Sequence, residues 1–391
     1  MDLYKSACEI KDEIIAHRRY LHKNAEAGLN LPLTVEYIKK VLTDYGIRYS
    51  KCGHGIVAEI GHGSPVVLLR ADMDALPMKE LSGEAFASGS DSAAHTCGHD
   101  MHAAMLLGAS RLLSQAEHEL CGTARLMFEP GEELLSGCLD MMDSGLLKGD
   151  VAAAFALHTA AGQVPIGTVM YNAGGVMMFS ADNFTVNIKG KGGHGAYAGL
   201  TADPVRAAVR IYDFLSTLTA SEGDPVCRAS ISIGYFHSGS AGNVIPETAL
   251  IKGSLRTDGG KNREHLKLRM EEAILLIAEL SACSAELVFD ASVPPLVCNS
   301  DLTLCAAKYF TELGIPGLTF VEDITAAASE DFARIAERLP SVYMYLSAGF
   351  DGDDGKYVAH DPRVKFNEEA CSMGAAMYAQ FAIRTLQDLE H

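Results

Sequence analysis

Apolar segments that end in acidic or imidazole side chains alternate with helical segments over residues 55–160, and this alternation constrains the fold more than any other feature of the chain. "PVVLLRADMDALP" is almost entirely apolar until it reaches Asp72 and Asp74. "GTARLMFEPGEE" runs into Glu132 and Glu133, and "VAAAFALHTA" carries His158 near its end. Such segments are typical of strands that are buried on both faces. The pattern predicts an α/β sheet flanked by helices, with a site outside the carboxyl ends of its strands.

The pattern changes near Asn183, where alternating strands replace the fully apolar ones. From there the predicted elements follow the order β-α-β-β-α-β, which is that of a ferredoxin-like sandwich. Two domains are expected, because 391 residues are too many for one typical core. We predict a catalytic domain from residues 1–180 and 293–391, interrupted by an inserted α+β domain of residues 181–292.

Three local predictions depend on helical periodicity. "YKSACEIKDEIIAHRRYLHKNAE" carries that periodicity throughout, and a later helix is predicted to start near His102. In "DPVRAAVRIYDFLSTL" the Asp-Pro pair is a favourable helix start. The spacing in that helix puts four residues on one apolar face, namely Val205, Ala208, Val209 and Tyr212.

The net charge of the chain disfavours two classes of binding partner. Acidic residues outnumber basic ones by 50 to 32, and a net charge of −18 disfavours binding to nucleic acid or to anionic membranes.

The sequence also bears on the location of the protein. The N-terminus lacks the apolar stretch of a signal peptide, and no apolar run is long enough to span a bilayer. The ten cysteines are scattered without a CxxC pair, which favours free thiols. We therefore expect a cytoplasmic protein that acts on a small molecule.

The stretch "HTCGHDMHAAM" concentrates potential metal ligands. Cys97 and His99 can point at one ion from a loop that leads into a helix, but this pair alone is a weak signal, and a buried thiol beside a surface histidine is the alternative. His102, one helical turn further, is either a ligand or a residue that supports one. His95 is interpreted as an ordinary loop residue.

The stronger signal is the whole set of donors at strand and loop ends. Acidic strand ends and single histidines each have an ordinary structural explanation, but together they supply nitrogen, sulfur and oxygen ligands. Such a set could hold two divalent ions, and its members are Cys97, His99, Glu133, His158 and His360. Glu132, next to Glu133, would then be available to take a proton from a water molecule during hydrolysis.

Six motifs, in this order, resemble those of the aminoacylase and carboxypeptidase family of di-metal peptidases (family M20), and most closely its amidohydrolase subfamily. The motifs are "RADMDALPM", "HTCGHDMHAAMLLGA", "FEPGEE", "GKGGHGA", "NVIPETA" and "SEDF". The similarity runs over nearly the whole chain. It implies a di-metal catalytic domain with an inserted lid or dimerisation domain, and therefore a homodimer.

The resemblance also implies a role for each residue. The metal ligands would be Cys97, His99, Glu133, His158 and His360, holding two zinc or manganese ions. Glu132 would be the general base for a metal-bound hydroxide, and Asp74 would orient a ligand. His194 in the lid would polarise the scissile carbonyl, while Asn243 and Arg256 would bind the substrate carboxylate. The role of Asp72 stays open, because other branches of the family have a ligand histidine there.

The chain departs from the family pattern at three places. Ala198 and Gly199 replace a Pro-His pair in the lid, Glu129 and Gly131 alter the usual "QPAEE", and "AASEDF" lacks a glycine. None of these changes removes a ligand, but Gly199 bears on the choice of substrate. The expected reaction is amide hydrolysis of an N-acyl amino acid. The alternatives are a carboxypeptidase or dipeptidase, and a metal-binding regulatory protein on an inactive scaffold.

Overall fold

The structure is a computed structural model that describes residues 1–390. Its strands are β1 (Arg48–Cys52), β2 (Gly55–Gly61), β3 (Val66–Asp72), β4 (Thr123–Glu129), β5 (Val151–Ala160), β6 (Thr168–Met170), β7 (Val176–Met178), β8 (Ala181–Lys189), β9 (Gly193–His194), β10 (Ala229–Ser238), β11 (Val244–Ile245), β12 (Thr248–Thr257), β13 (Ser284–Val293), β14 (Leu296–Val297), β15 (Thr319–Val321) and β16 (Ser341–Ser347).

Helices account for most of the remaining regular structure. They are α1 (Leu3–Glu9), α2 (Lys11–Lys23), α3 (Pro32–Asp44), α4 (His99–Gln115), α5 (Gly137–Asp143), α6 (Pro204–Glu222), α7 (Gly260–Leu280), α8 (Ser300–Glu312), α9 (Ala333–Ala336) and α10 (Ala370–Leu389). Short 3₁₀ helices span Glu117–Glu119, Glu132–Leu134, Gly195–Leu200 and Gly352–Gly355. None of the helices within residues 1–390 combines the length and the apolar character needed to cross a membrane.

The chain forms two compact units. The first unit comprises residues 1–177, 297–325 and 331–391, and the second comprises residues 178–296 and 326–330. The first unit contains an eight-stranded mixed sheet in the order β1-β2-β4-β3-β5-β16-β6-β15. Helices cover this sheet around a large core, so the predicted α/β fold class is confirmed.

Strand β3 lies at the centre of the arrangement that carries the site. It pairs in parallel with β4 on one side and with β5 on the other. All seven residues of β3 are buried, as expected for a strand that is covered on both faces. Tyr378 of α10 donates its hydroxyl hydrogen to the Arg70 carbonyl at 2.7 Å, which joins this helix to the end of β3.

The second unit has the predicted ferredoxin-like order. Its antiparallel sheet runs β10-β12-β8-β13, and α6 and α7 cover one face of it. The predicted face of α6 is wrong in part, since Val209 is 47% and Tyr212 44% exposed. The core side of α6 carries Ala207, Ala208, Ile211, Leu215 and Leu218 instead. Apolar residues lie on both sides of this helix, so periodicity alone could not select the buried side.

Two helix boundaries also differ from the prediction. The N-terminal segment forms two helices that are interrupted at Ile10. Helix α4 starts at His99 rather than near His102, because Gly98 adopts a left-handed conformation with φ of +90° and caps it. His99 is therefore the first residue of a rigid helix, and Cys97 precedes it in the loop.

Candidate metal and catalytic site

Five segments of the first unit meet at the carboxyl ends of β3, β4 and β5. The donor atoms of Cys97, His99 and Glu133 all lie within 4.8 Å of one another. His158 extends this group, since its Nε2 is 3.6 Å from the Cys97 sulfur. His360 extends it on another side, since its Nε2 is 3.5 Å from Glu133 Oε1. The structure thus brings together all five donors that the sequence analysis selected.

The backbone around His360 adopts an uncommon conformation. His360 has a φ of +71°, in the left-handed region that costs a residue with a side chain roughly 1–2 kcal/mol. Its backbone N–H donates to the Thr96 carbonyl at 2.9 Å. This bond joins the His360 loop directly to the segment before Cys97.

Asp74 binds the backbone of Glu132 and Glu133, which we call the acidic pair. Its two carboxylate oxygens accept the backbone N–H groups of Glu132 and Glu133, at 3.1 and 3.2 Å. Asp74 Oδ1 also lies 3.4 Å from Nδ1 of His99. The other ring nitrogen of His99, Nε2, faces the acidic pair. It lies 4.0 Å from Glu132 Oε2 and 3.9 Å from Glu133 Oε1, and a proton on Nδ1 leaves the lone pair on this atom. Asp74 therefore contacts both the turn of the acidic pair and the ring of His99, and its role as an orienting residue stays a prediction.

The tautomer of His158 is set by its neighbour in the chain. Nδ1 of His158 donates to the Thr159 carbonyl at 2.8 Å. Its Nε2 is then the lone-pair nitrogen and points toward the Cys97 sulfur. Burial lowers the pKa of His158 well below its ordinary value, which favours the neutral ring that metal binding requires.

His102 is buried close to the donors, but both of its ring nitrogens are already engaged. Nε2 accepts the backbone N–H of Thr159 at 2.8 Å, so Nδ1 carries the proton and donates it to Asp72 at 2.5 Å. Arg70 donates to the other oxygen of Asp72 at 2.8 Å. Burial opposes ionisation of Asp72, but the Arg70 guanidinium holds the pKa of this carboxyl well below its usual range. His102 and Asp72 are thus held by protein groups at the end of β5, and their donor atoms also lie within 4.8 Å of those of His99 and His158, so their role toward a metal stays open.

The free donors fit a divalent metal. The His99 ring is fully buried, and within residues 1–390 neither of its nitrogens finds a well-formed hydrogen bond. Burial raises the pKa of the Cys97 thiol to about 12, so a thiolate there needs a cation beside it. A soft sulfur, imidazole nitrogens and a carboxylate form a donor set that zinc and similar ions bind.

Three predicted residues lie in the second unit. His194 is exposed in β9, which pairs with β11, and its Nδ1 accepts the N–H of Ala196 at 3.1 Å. The carbonyl of Asn243 accepts the N–H of Gly195 at 2.9 Å, so these two residues belong to one small hairpin. Arg256 on β12 lies 3.4 Å from Ser329 Oγ. Their predicted roles toward a substrate stay predictions.

The sequence analysis missed the partners of Asp100. This carboxylate follows His99 and binds Arg18 and His22 of α2. His95, interpreted as an ordinary loop residue, is in fact 2% exposed. The four-residue spacing of Arg18 and His22, on a helix side that also carries Ile14 and Leu21, was the available signal.

Known proteins with similar sequences and folds identify the family of this chain. The sequence profile of peptidase family M20/M25/M40 matches residues 68–384. The chain is 36% identical over 387 residues to an IAA-amino acid hydrolase ILR1-like protein of Arabidopsis thaliana, covering 97% of this chain and 87% of the relative. It is 32% identical to thermostable carboxypeptidase 2 of Saccharolobus solfataricus, covering 96% of each.

Among solved structures, a Bacillus subtilis protein described as a dinuclear metal-binding peptidase of the M20 family superposes with a TM-score of 0.81. It is 29% identical to this chain, and the match covers 97% of this chain and 99% of that one.

Proposed function

The chain belongs to peptidase family M20/M25/M40, and on that premise we propose that it hydrolyses the amide bond of N-acyl amino acids to a carboxylic acid and a free amino acid. The observation that carries the proposal is the buried group of Cys97, His99 and Glu133, with Glu132 beside it. The similarity to a hydrolase of amino-acid conjugates supports this substrate class.

Cys97, His99, Glu133, His158 and His360 would hold two divalent ions, zinc or manganese. When bound, such ions supply Lewis acidity that polarises a carbonyl and lowers the pKa of a water molecule. The protein fixes where the donors point. Asp74 Oδ1 lies 3.4 Å from Nδ1 of His99, and the Thr159 carbonyl accepts the proton at Nδ1 of His158, so the Nε2 atom of each ring is the one directed to the other donors.

Glu132 is proposed as the general base. Its side chain is only 9% exposed, and its Oε2 lies 4.0 Å from His99 Nε2. In that position its carboxylate can take a proton from the attacking water and then give it to the leaving amine. The two hydrogen bonds from the backbone N–H groups of Glu132 and Glu133 to Asp74 fix the turn that presents this carboxylate.

We propose that the second unit supplies substrate contacts. His194 would stabilise the developing oxyanion, and Asn243 and Arg256 would bind the substrate carboxylate. The unit would also form a homodimer contact, since β10 and β13 are edge strands of its sheet. Sedimentation velocity on the intact protein tests the dimer, and a monomer at micromolar concentration would contradict it.

A carboxypeptidase is the second candidate. The similarity to a thermostable carboxypeptidase supports it, and the same residues would perform the reaction on a peptidyl acyl group. We disfavour a metal-binding protein on an inactive scaffold, because the chain keeps Glu132 and all five candidate donors.

The experiment is amine release from a panel of N-acetyl, N-benzoyl and N-indolylacetyl amino acids and dipeptides. Enzyme loaded with zinc or manganese is compared with enzyme treated with a chelator. Release from the acyl amino acids that the chelator abolishes would support the proposal. Release from dipeptides alone would support the carboxypeptidase instead. No release by enzyme that holds two metals would contradict both candidate activities.

A further inference from the structure

A second cluster of buried charges lies next to the metal donors in the chain but plays no part in the proposed chemistry. It consists of Arg18 and His22 of α2, Glu80, and Asp100 in the first turn of α4, and we call it the Asp100 cluster. The four side chains are between 0% and 6% exposed. Two formal cations therefore face two carboxylates in the interior of the first unit.

Arg18 connects two segments that carry metal donors. Its Nε donates to Asp100 Oδ2 at 3.0 Å, one residue after His99. Its Nη1 donates to the Phe366 carbonyl at 3.1 Å, six residues after His360, and lies 3.2 Å from Oε1 of the partly exposed Glu368. One buried guanidinium thus fixes the start of α4 and the segment that follows His360.

The side chain of Phe366 contacts the loop that carries two of the metal donors, Cys97 and His99. Gly98 lies between Cys97 and His99, and a Cβ placed on it would be 3.1 Å from the Phe366 ring. The ring therefore packs against the backbone between the two ligands. Arg18 holds the Phe366 backbone, and Phe366 in turn restricts the Cys97–His99 loop.

His22 connects a third segment. Its Nδ1 binds Asp100 Oδ2 at 2.9 Å, and its Nε2 lies 3.0 and 3.1 Å from the two oxygens of Glu80. Because both partners are carboxylates, both ring nitrogens act as donors, which requires the imidazolium form. Burial alone would lower the pKa of His22, but the charge of Asp100 and the hydrogen bonds to Asp100 and Glu80 raise it to about 9.

Glu80 orders the irregular segment between β3 and α4. Its Oε2 accepts the backbone N–H of Ser88 at 2.6 Å. The backbone N–H of the next residue, Leu81, donates to the Pro362 carbonyl at 2.7 Å, two residues after His360. The His360 loop is therefore held from the Glu80 side as well as from Arg18.

We propose that the Asp100 cluster positions the metal donors: Arg18 and His22 hold Asp100, Glu80 and the Phe366 segment so that Cys97, His99 and His360 converge on one site. The metal part of this inference rests on the proposed function. Buried ion pairs contribute little net stability compared with apolar residues of similar volume, so the effect of the cluster is expected in the geometry of the site.

The test compares two histidines of the same helix. His22→Gln removes the imidazolium, while His17→Gln changes a buried histidine whose nitrogens bind only the hydroxyls of Tyr37 and Tyr45, each at 2.8 Å. Zinc affinity is measured by competition with a chelator, and the absorption spectrum of bound Co²⁺ reports the geometry around Cys97. His22→Gln is expected to weaken zinc binding roughly 10–100-fold and to alter the Co²⁺ spectrum, and His17→Gln to do neither.

Arg18→Lys provides a second variant if His22→Gln does not fold. Lysine keeps the charge but cannot bind Asp100 and the Phe366 carbonyl together, so the same loss is expected. Arg111→Lys is its control, at a side chain that is 38% exposed and pairs with Glu13. Unchanged affinity and spectrum in the cluster variants would overturn the inference, as would an equal loss in the controls. If the wild-type protein bound no metal, the proposed function itself would be contradicted, which distinguishes its failure from a failure of the inference about the Asp100 cluster.

Discussion

At the scale of single residues, Glu132 and Glu133 are adjacent in the chain and both approach His99, and Glu133 also lies near His360. Glu133 Oε1 lies 3.5 Å from His360 and 3.9 Å from His99, whereas Glu132 Oε2 is 4.0 Å from His99. The turn that presents both carboxylates starts at Gly131, which has a φ of +74° and precedes the 3₁₀ helix Glu132–Leu134. Two neighbouring carboxylates can therefore have two roles.

Glu132→Gln is expected to lower kcat by about 10²–10⁴ while the metal content stays at the wild-type level, because glutamine cannot take a proton. Glu133→Gln is the matched control, since it removes a charged donor and should lower metal affinity. Amine release and metal analysis on the same samples measure both. Wild-type turnover in Glu132→Gln would remove its role as the base.

Gly98→Ala is expected to damage the metal site. Its φ of +90° costs a residue with a Cβ roughly 1–2 kcal/mol, and that Cβ would lie 2.3 Å from Thr159 Oγ1. Gly46→Ala is the control, with a φ of +72° and no heavy atom within 4 Å of the added carbon. We expect both variants to lose stability in urea unfolding, but only Gly98→Ala to lose bound metal. Equal metal content in the two would contradict this.

At the scale of elements, α2 contributes through side chains that reach other segments. Arg18 and His22 bind Asp100, which lies 82 and 78 residues further along the chain. His17 on the same helix binds Tyr37 and Tyr45. The helix is therefore both a layer of the core and a support for the irregular segments around the site.

The charge of His22 predicts a pH dependence of stability. Its pKa is raised to about 9 from an ordinary value of 6.5, so its contribution is fully present below pH 6.5 and is lost as the pH rises through 9. The groups that face it are Asp100 and Glu80, with Arg18 and His95 nearby. The free energy of unfolding should decline between pH 7 and pH 10 more steeply in the wild type than in His22→Gln. Parallel profiles would refute this charge state.

At the scale of the whole molecule, each unit has a core of its own. The donors all lie in the first unit, on segments that are far apart in the chain. A ligand that binds only the folded state stabilises it, by about 2.7 kcal/mol when its concentration is 100 times its Kd. Metal should therefore stabilise one unit and not the other.

Thermal unfolding with and without a chelator tests this. The chelator should lower the Tm of the transition that belongs to the first unit, and added zinc should restore it. Leu215→Ala, in the core of the second unit, assigns the other transition, because a buried Leu→Ala change costs about 2–5 kcal/mol. A chelator that left both transitions unchanged would contradict a metal site in the first unit.

The sequence by itself determined the fold class, the inserted ferredoxin-like unit and the set of candidate donors. These features depend on local patterns. A fully apolar strand, an acidic strand end and a run such as "HTCGHD" can each be read within a few residues. The family resemblance added the proposed roles of Glu132 and Asp74, and Asp74 contacts the backbone of Glu132 and the ring of His99.

Only the tertiary structure decided what depends on distances between remote segments. It showed that both ring nitrogens of His102 bind protein groups, that Asp100 binds α2, and that α6 buries Ile211 rather than Tyr212. Periodicity marks an apolar face but not the surface that covers it, and a histidine can be a ligand or a support according to what lies within about 3 Å of its nitrogens. Those contacts exist only once the chain has folded.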